Sequence, residues 1–405
     1  MSSAPERTDL LVLGASFAGI EVVLQIQRRL SKPLKITVVD RQRSHGYIPL
    51  VHERLCGVLT DEQSILPTED FVRSLPGTDF VCDEVVSFDP ERKVVELGSG
   101  RRIAARFVVV ALGSVVTPPP GMPGAEHMLG HKFEAEIDEA RPRLAETLGS
   151  EGDASAEPRM VVVGGGISGV ELAGELALLR RRRPEGWRAP AVTLVSAGAR
   201  LLPELAAGVG RKAASALVGQ GVDLRLETRL VEAGPSSVQL RHEETVESLD
   251  AALTFWAGGI RPAPILEHLG LPRTDDGWLA VGPTLQCFPT PEPTHPEIFA
   301  CGDAVRVVGG DGVWPTMQRA IECLWQAKVV ARNVAILAEH APKNRGEVPV
   351  LRPHVLRPRF AYGVSLGGRS LVVYGALKID FPAINVWFRR WLMRQYFARY
   401  SPRVG

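Results

Sequence analysis

The sequence contains two glycine-rich turns whose spacing is typical of phosphate-binding loops. In the first, Gly14, Ser16 and Gly19 follow the apolar run Leu10–Leu13 and open a helical pattern. Small residues there allow a tight turn and close approach to a pyrophosphate, and the helix N-terminus offers free N–H groups to the phosphates. Asp40 ends the next apolar run, where a carboxylate accepts from a ribose hydroxyl. The spacing predicts a dinucleotide-binding βαβ unit with Ser16 replacing the middle glycine; a nucleotide-free turn is the alternative.

The second turn has all three glycines, Gly164, Gly166 and Gly169, between an apolar run and a helical pattern. Its next strand ends in Ser196, which removes the acidic acceptor that favours NADH. Arg200 is then a candidate partner for the 2′-phosphate of NADPH, and an exposed loop position is the alternative for it. The choice between the two nicotinamide cofactors stays open.

A third motif lies further along the chain, where Gly302 and Asp303 follow a short apolar run in Glu297–Ala304. An aspartate at such a turn accepts hydrogen bonds from a polyol chain, although Asp also caps turns without any ligand. A glycine turn at Ala111–Ser114 lies between the two βαβ units. The order of these motifs predicts that the first turn holds a flavin dinucleotide and the second a nicotinamide dinucleotide, so that hydride passes between the two rings.

The elements that must position these motifs predict an α/β fold with two Rossmann-like dinucleotide-binding domains. We expect a discontinuous FAD-binding domain, residues 1–120 and 278–340, and an NAD(P)-binding domain inserted at 121–277. The proline-rich crossover Thr117–Gly124 marks the first boundary, because prolines cannot donate to a strand ladder. Residues 341–405 form a C-terminal α+β tail that ends in an amphipathic helix from about Pro382.

Composition limits the classes of function. A length of 405 residues predicts two or three domains, and a net charge of +1 argues against a nucleic-acid partner. The five cysteines lack disulfide or CxxC spacing, which is typical of a reducing compartment and predicts a cytoplasmic protein. The polar N-terminus does not resemble a signal peptide, and no apolar stretch approaches the ~20 residues needed to cross a bilayer. The nine histidines show no ligand spacing, so we predict no metal.

At this point the chain resembles the two-dinucleotide-binding flavoproteins, and most closely the type II NADH:quinone oxidoreductases. The resemblance covers nearly the whole length, in blocks such as GASFAGIEVV, GGGISGVELAGEL, FWAGGIRPAPILEHLGLP and IFACGDAV. It implies FAD, NAD(P)H and a quinone acceptor. The cofactor contacts that it implies are Gly14, Ala15, Ser16, Phe17, Ala18, Gly19, Asp40, Arg41, Gly113, Gly302 and Asp303 for FAD, and Gly164, Gly166, Gly169, Ser196, Arg200 and Gly258 for the nicotinamide cofactor.

The resemblance also implies catalytic residues. Glu171 matches an acid near the flavin that handles the nicotinamide or the quinone proton; a carboxylate favoured by the helix dipole is the alternative. Gln318 matches a glutamine that lines the flavin and quinone site, and Lys378 matches a residue facing the quinone channel. Glu322 and Cys323 depart from the pattern, because they stand where the later glutamines of that motif are found. An acid and a thiol there put the quinone acceptor in doubt.

Sulfur chemistry is a further possibility, because sulfide:quinone oxidoreductases carry cysteines on both sides of the flavin. Cys323 and Cys56 are the candidates for such a pair. An isolated cysteine is more often a small core residue.

The last helix predicts contact with a membrane surface. Its apolar residues recur at three- and four-residue steps, at Ile384, Trp387, Phe388, Trp391, Leu392 and Tyr396, and arginines flank them at Arg389, Arg390, Arg394 and Arg399. Aromatic residues bordered by arginine are typical of a helix lying in a membrane interface. Packing on its own domain, or on the mate in a homodimer, is the alternative.

The sequence therefore favours an FAD-dependent NAD(P)H dehydrogenase that reduces a quinone-type acceptor, bound peripherally to the inner face of the cell membrane. A reductase of a soluble redox partner or oxygen, a sulfide:quinone oxidoreductase-like enzyme and a low-turnover nucleotide-binding sensor are the alternatives.

Overall fold

The computed structural model describes residues 4–149, 157–288, 295–309, 312–314, 318–340, 349–356, 362–374, 377–379 and 382–401. In chain order the strands of these segments are β1 (Glu6–Leu13), β2 (Ile36–Asp40), β3 (His45–Gly46), β4 (Ile65–Leu66), β5 (Thr78–Cys82), β6 (Val85–Asp89), β7 (Val94–Leu97), β8 (Arg102–Val110), β9 (Ser114–Val115), β10 (Met128–Leu129), β11 (Arg159–Val163), β12 (Ala191–Val195), β13 (Val222–Arg225), β14 (Thr228–Ala233), β15 (Ser237–His242), β16 (Thr245–Asp250), β17 (Leu253–Trp256), β18 (Arg261–Pro262), β19 (Leu279–Val281), β20 (Ile298–Ala300), β21 (Val305–Gly309), β22 (Gly312–Trp314), β23 (Tyr362–Ser365), β24 (Ser370–Tyr374) and β25 (Leu377–Ile379). The α-helices are α1 (Phe17–Arg29), α2 (Val51–Leu55), α3 (Asp61–Ser64), α4 (Thr68–Arg73), α5 (Glu134–Gly149), α6 (Ile167–Arg182), α7 (Ala207–Val218), α8 (Ala320–Glu339) and α9 (Pro382–Arg399). Short 3-10 helices cover Ile48–Leu50, Ala125–His127, Pro264–His268 and Gly302–Ala304.

The first sheet is built around β1, whose last four residues, Leu10–Leu13, are completely buried. Its parallel strands lie in the order β5, β2, β1, β8, β20, with Val12 beside Val38 on one side and Val109 on the other. A parallel strand covered on both faces must be apolar along its length, which explains the unbroken apolar run of β1. Helices α1 and α8 pack against each other and share the core of this sheet. Strands β6 and β7 extend it as an antiparallel meander from β8.

The second sheet repeats this arrangement with five parallel strands in the order β10, β17, β11, β12, β13. Val162 of β11 lies beside Leu194 of β12 and Phe255 of β17. Parallel neighbours need a crossover, and α6 provides it between β11 and β12. The antiparallel meander β14–β16 follows β13 in the chain. The predicted α/β fold with two Rossmann-like parallel units is therefore confirmed.

The chain passes between the two units through paired connections. β9 and β18 pair antiparallel, so the outgoing and returning segments run side by side. Between β9 and the second unit, Thr117–Gly124 forms no strand, as its prolines predict. After β18, Leu266 and Leu269 already pack into the core of the first sheet. The domain boundaries remain predictions, and these contacts indicate that the return to the first core begins before residue 278.

The C-terminal tail contacts both units. Its antiparallel strands add Val364 and Leu371 to the core of the second sheet, whereas Tyr396 of α9 and Tyr400, directly after α9, pack in the core of the first. The tail therefore bridges the two βαβ units at the point where their glycine turns face each other across a cleft.

The apolar residues predicted for α9 are partly buried in the protein and partly exposed to solvent. Tyr396 is buried, while the exposed apolar side chains are Trp387, Phe388, Trp391 and Leu392. Arg389, predicted in the basic flank, is buried, because it forms an ion pair with Glu171 inside the protein. The side chain of Ile384 lies outside the described residues. Among the described helices, none combines the length and the hydropathy needed to cross a bilayer.

Candidate active site

A cleft of about 1910 Å³ lies between the two glycine turns and α9. The predicted site residues that line it are Gly14, Ala15, Ser16, Phe17, Ala18, Asp40, Arg41, Gly113, Gly166, Glu171, Gly302, Asp303, Gln318 and Cys323. The predicted residues that are described but do not line it are Gly19, Gly164, Gly169, Ser196, Arg200, Gly258 and Glu322. The side chain of Lys378 lies outside the described part of the structure. The two units and the tail thus contribute to one cleft.

The first glycine turn leaves no space for larger side chains. A Cβ on Gly14, whose φ is +99°, would lie 2.4 Å from the carbonyl oxygen of Ala111, and a Cβ on Gly19 would lie 1.8 Å from that of Gly14. The Asp40 carboxylate accepts from the backbone N–H of Ala15 at 2.7 Å, and burial raises its pKa. These features tie the turn to the end of β2 and fit a dinucleotide whose phosphates meet α1 and whose ribose meets Asp40.

The Gly-Asp turn presents a carboxylate to the same cleft. Asp303 accepts from the Ser114 hydroxyl at 3.3 Å and from the Cys323 thiol at 3.4 Å, and the ammonium of Lys132 lies 3.5 Å away. Gln318, at φ +46°, donates to the backbone carbonyl of Asp303 at 3.2 Å. The side chain of Asp303 is thus bound by groups from other segments rather than serving only as a local cap.

The second glycine turn has the same construction with a more open centre. A Cβ on Gly164 would lie 2.2 Å from the Ala257 carbonyl oxygen, and one on Gly169 would lie 1.9 Å from that of Gly164. A Cβ on Gly166 would meet no atom within 4 Å, so the backbone at the start of α6 is open to a ligand. This arrangement fits a pyrophosphate bound at the N-terminus of α6.

The residues around the second turn have mainly structural contacts. The Ser196 hydroxyl lies 2.2 Å from where a Cβ on Gly165 would stand, and a Cβ on Gly258 would lie 2.4 Å from the Trp256 ring. The guanidinium of Arg200 donates to carbonyl oxygens of its own loop, including that of Leu205 at 2.8 Å. Because a 2′-phosphate would have to compete with these carbonyls, Arg200 gives no support to a preference for NADPH.

Glu171 lines the cleft from the second turn of α6. Its Oε1 accepts from the Arg389 guanidinium and from the backbone N–H of Ser365, each at 2.9 Å. Its Oε2 lies 3.6 Å from Nδ1 of His52. Burial raises the pKa of Glu171, and Arg389 opposes that rise. The site therefore holds a buried acid whose charge depends on one arginine from the tail.

Comparison with known proteins decides the family. The sequence profile of the pyridine nucleotide-disulphide oxidoreductase family matches residues 8–327, most of the chain. The chain belongs to this family. The type II NADH:quinone oxidoreductase of Staphylococcus aureus (strain NCTC 8325 / PS 47) is 28% identical over 349 residues, which cover 82% of this chain and 83% of that protein.

Solved structures share the fold at low sequence identity. NDH2 from Plasmodium falciparum, in complex with NADH, gives a TM-score of 0.82 at 12% identity and covers 98% of this chain and 96% of its own. Sulfide:quinone oxidoreductase from Aquifex aeolicus gives a TM-score of 0.76 at 16% identity. The match covers 98% of this chain and 91% of that one. Family membership confirms the predicted enzyme class, an oxidoreductase that depends on FAD and a pyridine nucleotide.

The two residues of α8 that depart from the family pattern, Glu322 and Cys323, point in different directions. Cys323 faces the cleft, but Glu322 points away from it and pairs with His354 at 2.5 Å and Gln326 at 3.3 Å. Of these two residues, only Cys323 therefore lines the cleft. Burial raises the pKa of the Cys323 thiol, which keeps it protonated at neutral pH.

Cys56, the predicted partner of Cys323 in sulfur chemistry, packs in the core of the second sheet and does not line the cleft. Its pKa is also raised by burial. Within the described residues, the two thiols are therefore not arranged on one cleft, and no sulfur-relay chemistry follows from their placement.

Several residues with polar contacts in the site were not predicted from the sequence, namely Lys132, His52, Ser365 and, in this role, Arg389. Lys132 follows β10 in a stretch without a recognisable motif. Its ammonium nevertheless lies 3.0 Å from the Ser114 hydroxyl and close to Asp303. For Arg389, the one indication in the sequence was its place among the aromatic residues of α9.

A second buried acid on α6 predicts a dependence of stability on pH. Burial and the nearby Glu53 raise the pKa of Glu175 to about 7. A pKa above the unfolded value stabilises the fold at low pH, and this contribution is lost as pH rises from about 4.5 to about 7. We expect Glu175→Gln to match the wild type near pH 4.5 and to exceed its unfolding free energy by up to about 3 kcal/mol at pH 8. Urea unfolding at several pH values measures this.

Glu244→Gln, in the exposed turn between β15 and β16, is the matched control. If the unfolding free energies of Glu175→Gln and the wild type differ by the same amount at pH 5 and pH 8, a raised pKa of Glu175 is contradicted.

Proposed function

We propose that this chain is an NAD(P)H dehydrogenase that uses FAD to reduce a quinone-type acceptor, acting from the cytoplasm at the inner face of the cell membrane. The observation that carries the proposal is the continuity of the cleft, which runs from both glycine turns to Phe388, Leu392 and Tyr396 of α9. The relative from Staphylococcus aureus is named a type II NADH:quinone oxidoreductase, which supports the same reaction class here.

The bound cofactors supply the redox chemistry, since two electrons pass from reduced nicotinamide through flavin to the acceptor. The residues of the chain bind, orient and supply charge. The open backbone at Gly166 admits the nicotinamide pyrophosphate, and Asp303 with Lys132 offers an acceptor and a cation to the flavin side chain. The Gln318 amide stabilises the turn at Asp303 by donating a hydrogen bond to the backbone carbonyl of Asp303.

Glu171 is the group that we assign to proton handling. Reduction of a quinone to a quinol consumes protons, and burial raises the pKa of the Glu171 carboxyl, so it takes up a proton more readily than an exposed carboxyl does. One of its oxygens is taken by Arg389 and Ser365, so the other, which faces His52, is the site where a proton is held. Glu171 lies on α6, the helix that begins at the nicotinamide cradle, and contacts Arg389 of α9, the helix that also lines the cleft.

The strongest sequence argument against a quinone loses weight once the side chains are placed. Glu322 would have brought an uncompensated charge to the acceptor site, but it is buried beside His354 and outside the cleft. Cys323, which does line the cleft, carries a neutral thiol. The lining near α8 is thus free of the acid that favoured a different acceptor.

An anaerobic titration tests the proposed function. Purified protein is expected to carry FAD that is bleached by one equivalent of NADH or NADPH and recovers its yellow colour on addition of a water-soluble quinone. Colour that survives both nicotinamides refutes the dehydrogenase. Recovery with a soluble redox carrier or with oxygen, but not with any quinone of a panel, refutes the acceptor and supports the alternative reductase.

The exposed apolar face of α9 is the proposed membrane contact. Trp387 is 60% exposed and Trp391 is 39% exposed. We expect Trp387→Ser with Trp391→Ser to reduce co-sedimentation with anionic lipid vesicles at least tenfold, because two large apolar side chains no longer enter the interface. Reduction of a water-soluble quinone should change less than twofold.

Removal of the whole helix is a poor test, because Tyr396 of α9 is part of the first core. Val246→Ser, which removes a comparably exposed apolar side chain from β16, is the control for non-specific loss of binding. Vesicle binding that survives the tryptophan substitutions would show that α9 is not the membrane contact.

A further inference from the structure

A hydrogen-bonded chain of three side chains connects α9 to the first glycine turn. The Ser16 hydroxyl lies 3.1 Å from Nδ1 of His45, and Nε2 of the same ring lies 3.1 Å from the Tyr396 hydroxyl. All three residues line the cleft. Phe17 packs against both rings, at centroid distances of 4.5 Å to His45 and 4.9 Å to Tyr396. Ser16 is the residue that replaces the middle glycine of the turn.

All three groups of this chain are neutral at pH 7. Burial lowers the pKa of His45 to about 3, so its imidazole is neutral at pH 7, with one nitrogen donating and the other accepting. Burial also raises the pKa of Tyr396, which keeps its phenol protonated. In one of the two tautomers of His45, Nε2 carries no hydrogen and accepts from the Tyr396 hydroxyl, and this is the tautomer that we assign.

The remaining hydrogen of the ring then lies on Nδ1 and is donated to the oxygen of Ser16. Ser16 is the N-cap residue of α1, yet its hydroxyl makes no capping hydrogen bond with that helix. The hydroxyl hydrogen of Ser16 therefore has no acceptor within this chain of groups. It is available to an acceptor in the cleft, at the place where the first turn meets a pyrophosphate.

We propose that Tyr396, acting through His45, orients the Ser16 hydroxyl as a hydrogen-bond donor to the pyrophosphate of the dinucleotide in the first cradle. The proposal rests on FAD occupying that cradle. His45 and Tyr396 are positioning residues, and α9 thereby contributes to holding the cofactor as well as to the acceptor end of the cleft.

Hydrogen bonds to Glu21 hold Tyr396 in position against His45. One turn after Tyr396, the Tyr400 hydroxyl donates to the buried carboxylate of Glu21 at 2.5 Å, and Arg399 donates to the same carboxylate at 2.9 Å. Glu21 lies on α1, one turn after Phe17. The two helices are thus joined at adjacent turns, which holds the hydroxyl of Tyr396 against His45.

The test is the rate at which FAD leaves the full-length protein. Tyr396→Phe removes only the hydroxyl and keeps the ring packing. Without it, the other tautomer of His45 lets Ser16 donate to Nδ1, and one hydrogen bond to the phosphate is lost. Because hydrogen bonds to charged groups are the stronger ones, we expect about a tenfold faster release of FAD, followed by the rise of flavin fluorescence after dilution into chaotropic salt.

Ser16→Ala is expected to give the same acceleration, and the double variant with Tyr396→Phe should be no faster than either single one. Tyr47→Phe is the matched control, because Tyr47 belongs to the same aromatic cluster but its hydroxyl makes no hydrogen bond with the described residues. The wild-type FAD content is measured first, since protein without flavin refutes the cofactor assignment itself. If FAD is present and Tyr396→Phe releases it at the wild-type rate, or if the effects of the two substitutions add, the proposal is wrong.

Discussion

Gly169→Ala is expected to slow reduction of the bound flavin by NADH and NADPH by up to about a hundredfold while FAD stays bound. A Cβ at this position would lie 1.9 Å from the carbonyl oxygen of Gly164, so α6 must move away from the turn that holds the nicotinamide cofactor. Overpacking of this kind costs about 1–3 kcal/mol, and at the upper end the second-order rate constant falls about a hundredfold. Anaerobic stopped-flow mixing, followed at the flavin absorbance, measures that rate constant.

The equivalent substitution in the first turn is expected to have the opposite pattern. Gly19→Ala brings a Cβ to 1.8 Å from the carbonyl oxygen of Gly14, so the protein should purify with little FAD. Gly149→Ala, at the end of α5, is the control, because its Cβ would make an ordinary contact of 3.7 Å with Trp187. Loss of FAD in Gly169→Ala, or normal reduction of its flavin, would show that the two cradles are not divided between the cofactors as proposed.

The parts of this protein that the sequence predicted well depend on local constraints. The glycines of both turns fill positions where a side chain would strike backbone, and β1 and β11 are apolar because parallel strands are covered on both faces. Asp40 is the last residue of β2, Asp303 comes soon after β20, and both line the cleft. Each of these features is marked by residue types at a fixed spacing along the chain, so the sequence carries enough information to place them.

The features that the sequence did not predict depend on packing between segments far apart in the chain. Glu171 and Arg389 are separated by 218 positions, and periodicity alone assigned Arg389 to an exposed flank. The helical pattern of α9 could not show that one of its faces enters the first core while another stays exposed. The orientation of Glu322 likewise depends on His354, which lies on a segment without regular secondary structure.

Arg389→Met is expected to destabilise the protein most strongly at alkaline pH and to slow the acceptor half-reaction at least tenfold. The substitution keeps much of the apolar stem but removes the cation that Glu171 faces at 2.9 Å. Leaving a buried charge without its partner costs about 3–5 kcal/mol, unless the group takes up a proton. Because Arg389 opposes the rise in the pKa of Glu171, its loss raises that pKa further and favours the neutral acid.

The sign of the pH dependence follows from that raised pKa. The variant retains its stability at acidic pH, where Glu171 is protonated in the fold, and loses it as pH rises through the folded pKa. Glu171→Gln in the same chain should restore stability at pH 8 without restoring acceptor reduction, since an amide needs no counter-charge but cannot exchange a proton. Arg394→Met, which removes an exposed arginine from the same helix, should change neither quantity. Melting temperatures and rapid-mixing reoxidation by a water-soluble quinone separate the two effects. A stability loss in Arg389→Met that is equal at pH 5 and pH 8 would show that Glu171 is not the group whose charge Arg389 balances.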